Sequence, residues 1–215
     1  MAEPILTVSG LGKRFGGFVA LENINITVET GERLGLIGPN GSGKSTLVNC
    51  LSGALHHDSG SVTFDGRRID GMPAYQRTRL GLARSFQLPK PFRSLNLVDN
   101  LRIPLLYTVN ARHGAHLSST EIDARCRALL ADVALADKAR RLPRDLTQVE
   151  MRKLELARAV ASAPRLLFAD EAMAGLSPSE VEEILVVLVA GQKIADGAPQ
   201  EAIRNPEVER AYLGE

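Results

Sequence analysis

Apolar positions along the chain follow two periods, and the change of period marks out the elements. Residues 5–8 (ILTV) and 24–28 (INITV) are β-rich segments on either side of the glycine-rich stretch GLGKRFGGF, and predict a hairpin or meander. Leu34-Gly35-Leu36-Ile37 is an apolar run that predicts a buried strand. After Thr46 the period becomes helical, with Leu47, Val48, Cys50, Leu51, Ala54 and Leu55 on one face. Residues 61–66 predict another strand ending in a turn, and 81–87 a short segment halted by Pro89 and Pro91. Helical patterns follow at 95–106, 119–135 and 148–161, with 107–118 read as loop. Leu129, Leu130, Val133 and Ala134 form a core-facing stripe. Residues 165–169 are a buried strand running into Asp170-Glu171, and 178–185 reads as a short helix before the strand 186–190.

The segment between the third predicted strand and its helix carries the first chemical signal. Gly38-x-x-x-x-Gly43-Lys44-Ser45 is a phosphate-binding P-loop, and strand, glycine loop, helix is the context it requires. Gly38, Pro39, Asn40, Gly41, Ser42, Gly43, Lys44, Ser45 and Thr46 are therefore the expected ATP-binding residues. Glycines at positive φ let N–H groups converge on phosphate oxygens, and the following helix adds its positive end. Lys44 reaches the β- and γ-phosphates, and the Ser45 hydroxyl is placed to ligate Mg²⁺. Asp170 and Glu171 close an apolar strand where ligands sit in a doubly wound sheet. Asp170 is the candidate for holding Mg²⁺ through water, and Glu171 for taking a proton from the attacking water. Phe15, flanked by glycines, is either an adenine-stacking ring or a loop residue folded onto the core.

Composition narrows the alternatives. The chain has 215 residues, 44% hydrophobic and 24% charged, which suits one large globular domain with an inserted lobe. A net charge of +1 gives no electrostatic case for nucleic acid as a partner, and the basic run 138–144 reads as a solvated face. Two cysteines make no disulfide framework, and Cys50 is placed in the core. No signal peptide is expected from MAEPILTVSG, and no apolar run is long enough to span a membrane. His113 and His116 lack a carboxylate or cysteine cluster beside them and read as solvated loop.

The segments GLGKRFGG, GPNGSGKSTLVNCLSG, GLARSFQLPKPF, LELARAV, FADEAMAGLSP and the tail NPEVERAYLGE resemble the ATP-binding subunits of ABC transporters. Among these they are most similar to the ATPases of branched-chain amino acid importers. The resemblance covers nearly the whole chain. It implies an α/β P-loop NTPase, RecA-like, with a mostly parallel sheet core, an antiparallel β subdomain and an inserted α-helical subdomain. The core is expected at 1–87 and 146–215 and the helical subdomain at 88–145. By matching position, Phe15 becomes the adenine-stacking aromatic and Gln87 the glutamine that senses Mg²⁺ and attacking water. Residues 88–100 face a membrane subunit, and Ala174–Ser177 form the loop after the catalytic glutamate. The implied partners are a second ABC ATPase subunit and membrane-spanning permease subunits. The implied place is the cytoplasmic face of the inner membrane, held there through the permease.

Three departures from the family pattern stand out. The signature that acts on the partner's ATP reads Leu146-Thr147-Gln148-Val149-Glu150, so Val149 replaces a glycine and Glu150 a glutamine. A β-branched residue restricts close backbone approach, and Glu150 adds negative charge near phosphate. All four histidines, at 56, 57, 113 and 116, precede Asp170, so the family's switch histidine has no counterpart and about one β-α unit (roughly 25–30 residues) is missing. Ala172 stands where the family usually has proline. The first reading is a transport ATPase, its activity impaired by these changes. A nucleotide-binding regulatory subunit with little hydrolysis, and the ATPase of a lipopolysaccharide-type exporter, remain as alternatives.

Overall fold

The computed structural model describes residues 4–86, 88–114, 116–169 and 183–197. The chain divides into two compact units, residues 1–73 with 177–215, and residues 74–176.

In the first unit, β1 (Leu6–Phe15) and β2 (Phe18–Val28) form an antiparallel hairpin closed at Gly16-Gly17. The stretch expected as a glycine-rich turn is therefore mostly strand. Its glycines serve irregularities instead. Leu6 and Val8 point inward two apart, but the next buried position is Leu11, three further on. One extra residue has been absorbed by a register shift between Val8 and Leu11, with Gly10 at φ 60°. β1 also pairs with β4 (Ser59–Phe64), and Asp65-Gly66, both at positive φ, turn the chain into β5 (Arg67–Arg68). The sheet order is β2-β1-β4-β5.

The same unit holds a second sheet. β3 (Arg33–Ile37) pairs in parallel with β8 (Glu183–Val189), which pairs antiparallel with β9 (Gln192–Gly197). Ile184 and Leu185 thus belong to a strand, not to the short helix expected from their spacing. Pairing with Leu34 and Gly35 overrides a local helical pattern. The helix α1 (Lys44–Ser52) follows the P-loop and buries Leu47, Cys50 and Leu51, as its apolar face predicted.

The second unit contains α2 (Ala74–Leu80), β6 (Leu82–Arg84), α3 (Leu97–Pro104), α4 (Ser119–Asp132), α5 (Gln148–Ala161) and β7 (Leu166–Phe168). β6 and β7 make a two-stranded parallel sheet. The helices share a core that includes Leu101, Leu105, Cys126, Leu130 and Leu154. Burial pushes the Cys126 thiol up to about 11, so it packs as an inert apolar group. α3 ends at Pro104, whose ring and missing N–H break the ladder, and the chain continues as a π-helical turn, Leu105–Val109. That turn occupies part of the segment expected as loop. α4 stops at Asp132, short of the expected 135, because Ala134 takes φ 56°; Ala134 is exposed and leaves the predicted stripe.

Arg112 fastens this unit. Its guanidinium donates to the carbonyls of Arg79 (2.8 Å), Ala163 (2.8 Å) and Ser162 (2.7 Å), at the C-terminal ends of α2 and α5. A cation there meets the negative ends of two helix dipoles. Burial lowers the Arg112 pKa from its ordinary value, and no carboxylate is among these acceptors. Arg112→Met is expected to lose about 2 kcal/mol in urea unfolding, with Arg112→Lys recovering only part, since one ammonium cannot span the same fork of carbonyls.

Candidate functional site

The P-loop is built between β3 and α1. Gly38, Gly41 and Gly43 all have positive φ, at 152°, 81° and 101°. Gly43 is the N-cap of α1 and offers no side-chain cap, and the first turn holds no acidic residue. The leading N–H groups of the helix are left for an anion. Lys44 Nζ donates to the carbonyls of Gly38 (2.6 Å) and Pro39 (2.9 Å), folding back over the loop it will serve. Neither acceptor carries charge. Ser42 is buried, and its hydroxyl has no hydrogen-bond partner. Asn40, Gly41 and Ser45 are exposed, and Thr46 is half-buried. An uncapped helix start, an ammonium that among the described residues meets carbonyls alone, and an orphaned hydroxyl fit a polyphosphate.

Phe15 and Phe18 face one another across the hairpin turn and are both exposed, Phe15 by 48%. Lys13 lies 5.6 Å from the Phe15 ring centroid, while its ammonium pairs with Asp58 at 2.7 Å. Of the two readings of Phe15, burial against the core is the one this exposure does not match.

In the second unit the β6–β7 register sets Arg84 beside Phe168, and Ser85 N–H donates to the Phe168 carbonyl at 3.0 Å. The C-terminal ends of these parallel strands lie side by side, three residues ahead of Gln87 and two ahead of Asp170. Gln87, Asp170, Glu171 and Ala174–Ser177 lie outside the described residues.

The signature segment opens α5 as a capping box. Glu150 N–H donates to Thr147 Oγ1 (3.3 Å), and Thr147 N–H donates to Glu150 Oε2 (2.9 Å). Gln148 begins the helix, and Val149 stands 65% exposed in its first turn without positive φ. The negative charge expected at Glu150 is offset: Lys138 Nζ donates to Glu150 Oε1 at 2.5 Å. Lys138 was read as part of a solvated basic face, and this pairing corrects that for Lys138; Arg140, Arg141 and Arg144 are exposed. Twelve residues separate the pair, so no local spacing rule could have joined them. The Lys138 ammonium first, then the Thr147 N–H, hold the Glu150 carboxyl down at about 2, against an ordinary value of 4.5. Protonation at low pH therefore favours the unfolded chain. The contribution is full above about 4.5 and fades as pH falls toward 2. Between those values, the midpoint of urea unfolding is expected to fall less steeply in Glu150→Gln than in the wild type.

Asn100 is a further residue that the sequence reading passed over as a role. It sits in the stripe Leu97-Asn100-Leu101 and is fully buried. Its amide accepts from Phe92 N–H (2.8 Å) and donates to the carbonyls of Phe92 (3.1 Å) and Leu95 (3.0 Å). A polar residue at an apolar position of a helical stripe was the available signal. His113 and His116 are both exposed.

A P-loop on a parallel strand, backed by an uncapped helix and joined to an antiparallel sheet, defines a nucleotide-binding α/β cassette. Residues 21–174 match the ABC transporter family, and the chain belongs to it. The high-affinity branched-chain amino acid transport ATP-binding protein BraF of Pseudomonas aeruginosa is 33% identical, with all of both chains covered. LivG of Escherichia coli, described in the same words, is 31% identical with the same coverage. An ATP-binding cassette of an ABC transporter, solved in its ADP conformation, superposes with a TM-score of 0.80 at 26% identity, covering 100% of both chains. The resemblance drawn from the motifs is borne out, as are the α/β P-loop fold class and the ABC ATPase reading. The pairing with BraF spans 254 positions, 39 more than the 215 residues here, so at least that many positions of it have no counterpart in this chain.

Proposed function

We propose that this chain is the ATP-binding and hydrolysing subunit of an ABC importer for branched-chain amino acids or related small solutes. The P-loop geometry carries the reading: Lys44 held, among the described residues, by carbonyls alone beside an uncapped α1. The cargo follows from likeness to BraF and LivG over their full length.

Backbone N–H groups of residues 38–46 cradle the phosphates, and Lys44 exchanges its loop carbonyls for phosphate oxygens. Phe15 stacks on the adenine. Ser45, Asp170 and Gln87 would hold Mg²⁺, which would neutralise charge on the β- and γ-phosphates. Glu171 takes the proton of the attacking water, and Gln87 orients that water. Thr147, Gln148, Val149 and Glu150 act in trans on the nucleotide of a second ATPase subunit. The core comprises 1–87 and 146–215, and 88–145 is the helical lobe whose leading segment, 88–100, meets the permease. No helix among the described residues is long and apolar enough to cross a membrane. The subunit sits at the cytoplasmic face of the inner membrane through its permease partners.

The test is ATP turnover by the assembled transporter carrying Glu171→Gln. A loss of about a hundredfold with nucleotide binding retained is expected. Unchanged turnover in a complex where both ATPase subunits carry the substitution removes Glu171 from the mechanism.

A further inference from the structure

α5 joins two places that the proposed function treats separately. Its N-terminus bears the signature segment, and Glu155 and Arg158 lie eight and eleven residues beyond Thr147, about 12–16 Å along the helix. Both are bound to the segment that follows Gln87. Arg158 Nη1 donates to the Lys90 carbonyl at 2.9 Å and to Glu155 Oε2 at 2.8 Å. The same Glu155 oxygen accepts from Lys90 N–H at 3.4 Å. The Arg158 guanidinium lies 5.0 Å from the Phe92 ring centroid. Asn100 of α3 grips Phe92 through both its N–H and its carbonyl, at 2.8 and 3.1 Å.

The local sequence makes this grip efficient. In Pro89-Lys90-Pro91, Lys90 has the lone backbone N–H, and it is given to Glu155. The prolines fix φ on either side and stiffen the segment, so a hold at Lys90 carries its neighbours. Those neighbours present apolar surface: Phe86, Leu88 and Phe92 are all exposed. Glu155 is itself buried, and a buried ion pair is a poor device for stability alone.

We propose that Glu155 and Arg158 are positioning residues that tie the signature end of α5 to Lys90–Phe92, so that a displacement of α5 by nucleotide in trans moves the permease-facing segment. The tie rests on the reading that residues 88–100 meet the permease.

The experiment uses the transporter assembled with its permease subunits in vesicles. ATP KM, ATPase rate without solute, and solute taken up per ATP are measured. Wild type comes first: a wild-type ATPase indifferent to solute refutes the permease reading itself, and the tie with it. With a solute-stimulated wild type, Glu155→Gln, Arg158→Lys and Lys90→Pro should leave KM and the solute-free rate within about twofold. Uptake per ATP should fall at least fivefold. Lys90→Pro removes the backbone donor, and with it the ammonium 5.7 Å from the Phe86 ring centroid, and leaves α5 intact. Set against Lys90→Ala, which loses that ammonium but keeps the donor and should behave as wild type, it reads the tie even where an α5 variant fails to fold. The Glu155→Gln/Arg158→Lys pair should be no worse than the poorer single change. Unchanged uptake per ATP, an equal fall in solute-free rate, or multiplicative losses in the pair overturns the tie while leaving the permease reading standing.

Discussion

Lys44→Ala should cut ATP turnover of the assembled transporter at least a hundredfold while the thermal midpoint moves by no more than about 2 °C. The separation of the two effects follows from how Lys44 is held. Its Nζ donates to the Gly38 and Pro39 carbonyls at 2.6 and 2.9 Å, and among the described residues no carboxylate pairs with it. Removing the side chain strands no buried charge and frees two carbonyls in a half-buried loop that water reaches. A triphosphate offers charged acceptors in their place, and charge-assisted bonds are about twice as strong. The gain grows as negative charge shifts along the phosphates in the transition state. Turnover and thermal unfolding on the same preparation check both halves. Substantial turnover in Lys44→Ala would remove the ammonium from catalysis, and a large fall in midpoint would make the residue structural.

The elements that could be read from the chain alone are those specified by neighbours in sequence. α5 runs from Gln148 to Ala161, as its period predicted, because Thr147 and Glu150 close its start with a capping box. α1 follows Gly43 without a side-chain cap, its start marked instead by the contiguous glycine motif and its apolar face. What could not be read depends on partners far away. Glu183–Leu185 looks helical by spacing but joins a parallel ladder with β3 nearly 150 residues earlier. Gly10 and Gly12 look like turn residues, yet they sit in a bulged strand whose register is set by β2 and β4. At the site, the glycines and Lys44 were legible because the motif is contiguous. The neutralisation of Glu150 by Lys138 was not, because Lys138 closes one 3₁₀ turn and a second, Pro143–Asp145, lies between them. Gln87, Asp170 and Glu171 stand as assigned from sequence, outside the described residues.

β3 and β7, each within its own unit, are covered less than their sequences predict. Leu34–Ile37 and Leu166–Phe168 were both expected to be buried, and every one of these residues is only half-buried. Parallel strands are normally covered on both faces and paired on both edges. Among the described residues β3 has β8 as its ladder neighbour, and β7 has β6. β8 ladders with β3 and β9. The 39 unmatched positions in the pairing with BraF exceed the roughly 25–30 residues of the β-α unit that the family pattern implies.

The β3–β8 ladder makes Gly38 a position where one added methyl group does heavy damage. An added Cβ would stand 2.1 Å from the Leu188 carbonyl oxygen and 2.6 Å from Ser42 Oγ, at a φ of 152°. The Ser42 hydroxyl can swing away; the Leu188 carbonyl cannot, because it is backbone at the end of β8. Moving it strains the ladder to β9 at Leu188–Lys193 and the parallel ladder to β3 at Ile37–Val187. Overpacking and an unfavourable backbone together cost roughly 3–5 kcal/mol, a large share of a typical domain's 5–15 kcal/mol. Gly41→Ala is the matched control. Its φ of 81° is equally unsuited to alanine, but nothing lies within 4 Å of the added atom. It should cost about 1 kcal/mol. Urea unfolding of the two variants beside the wild type should therefore separate them by at least about 2 kcal/mol, and Gly38→Ala should lose nucleotide binding even where it remains folded. Equal costs for the two would mean that β8 does not press on the P-loop, and that the loop is shaped by its own glycines alone.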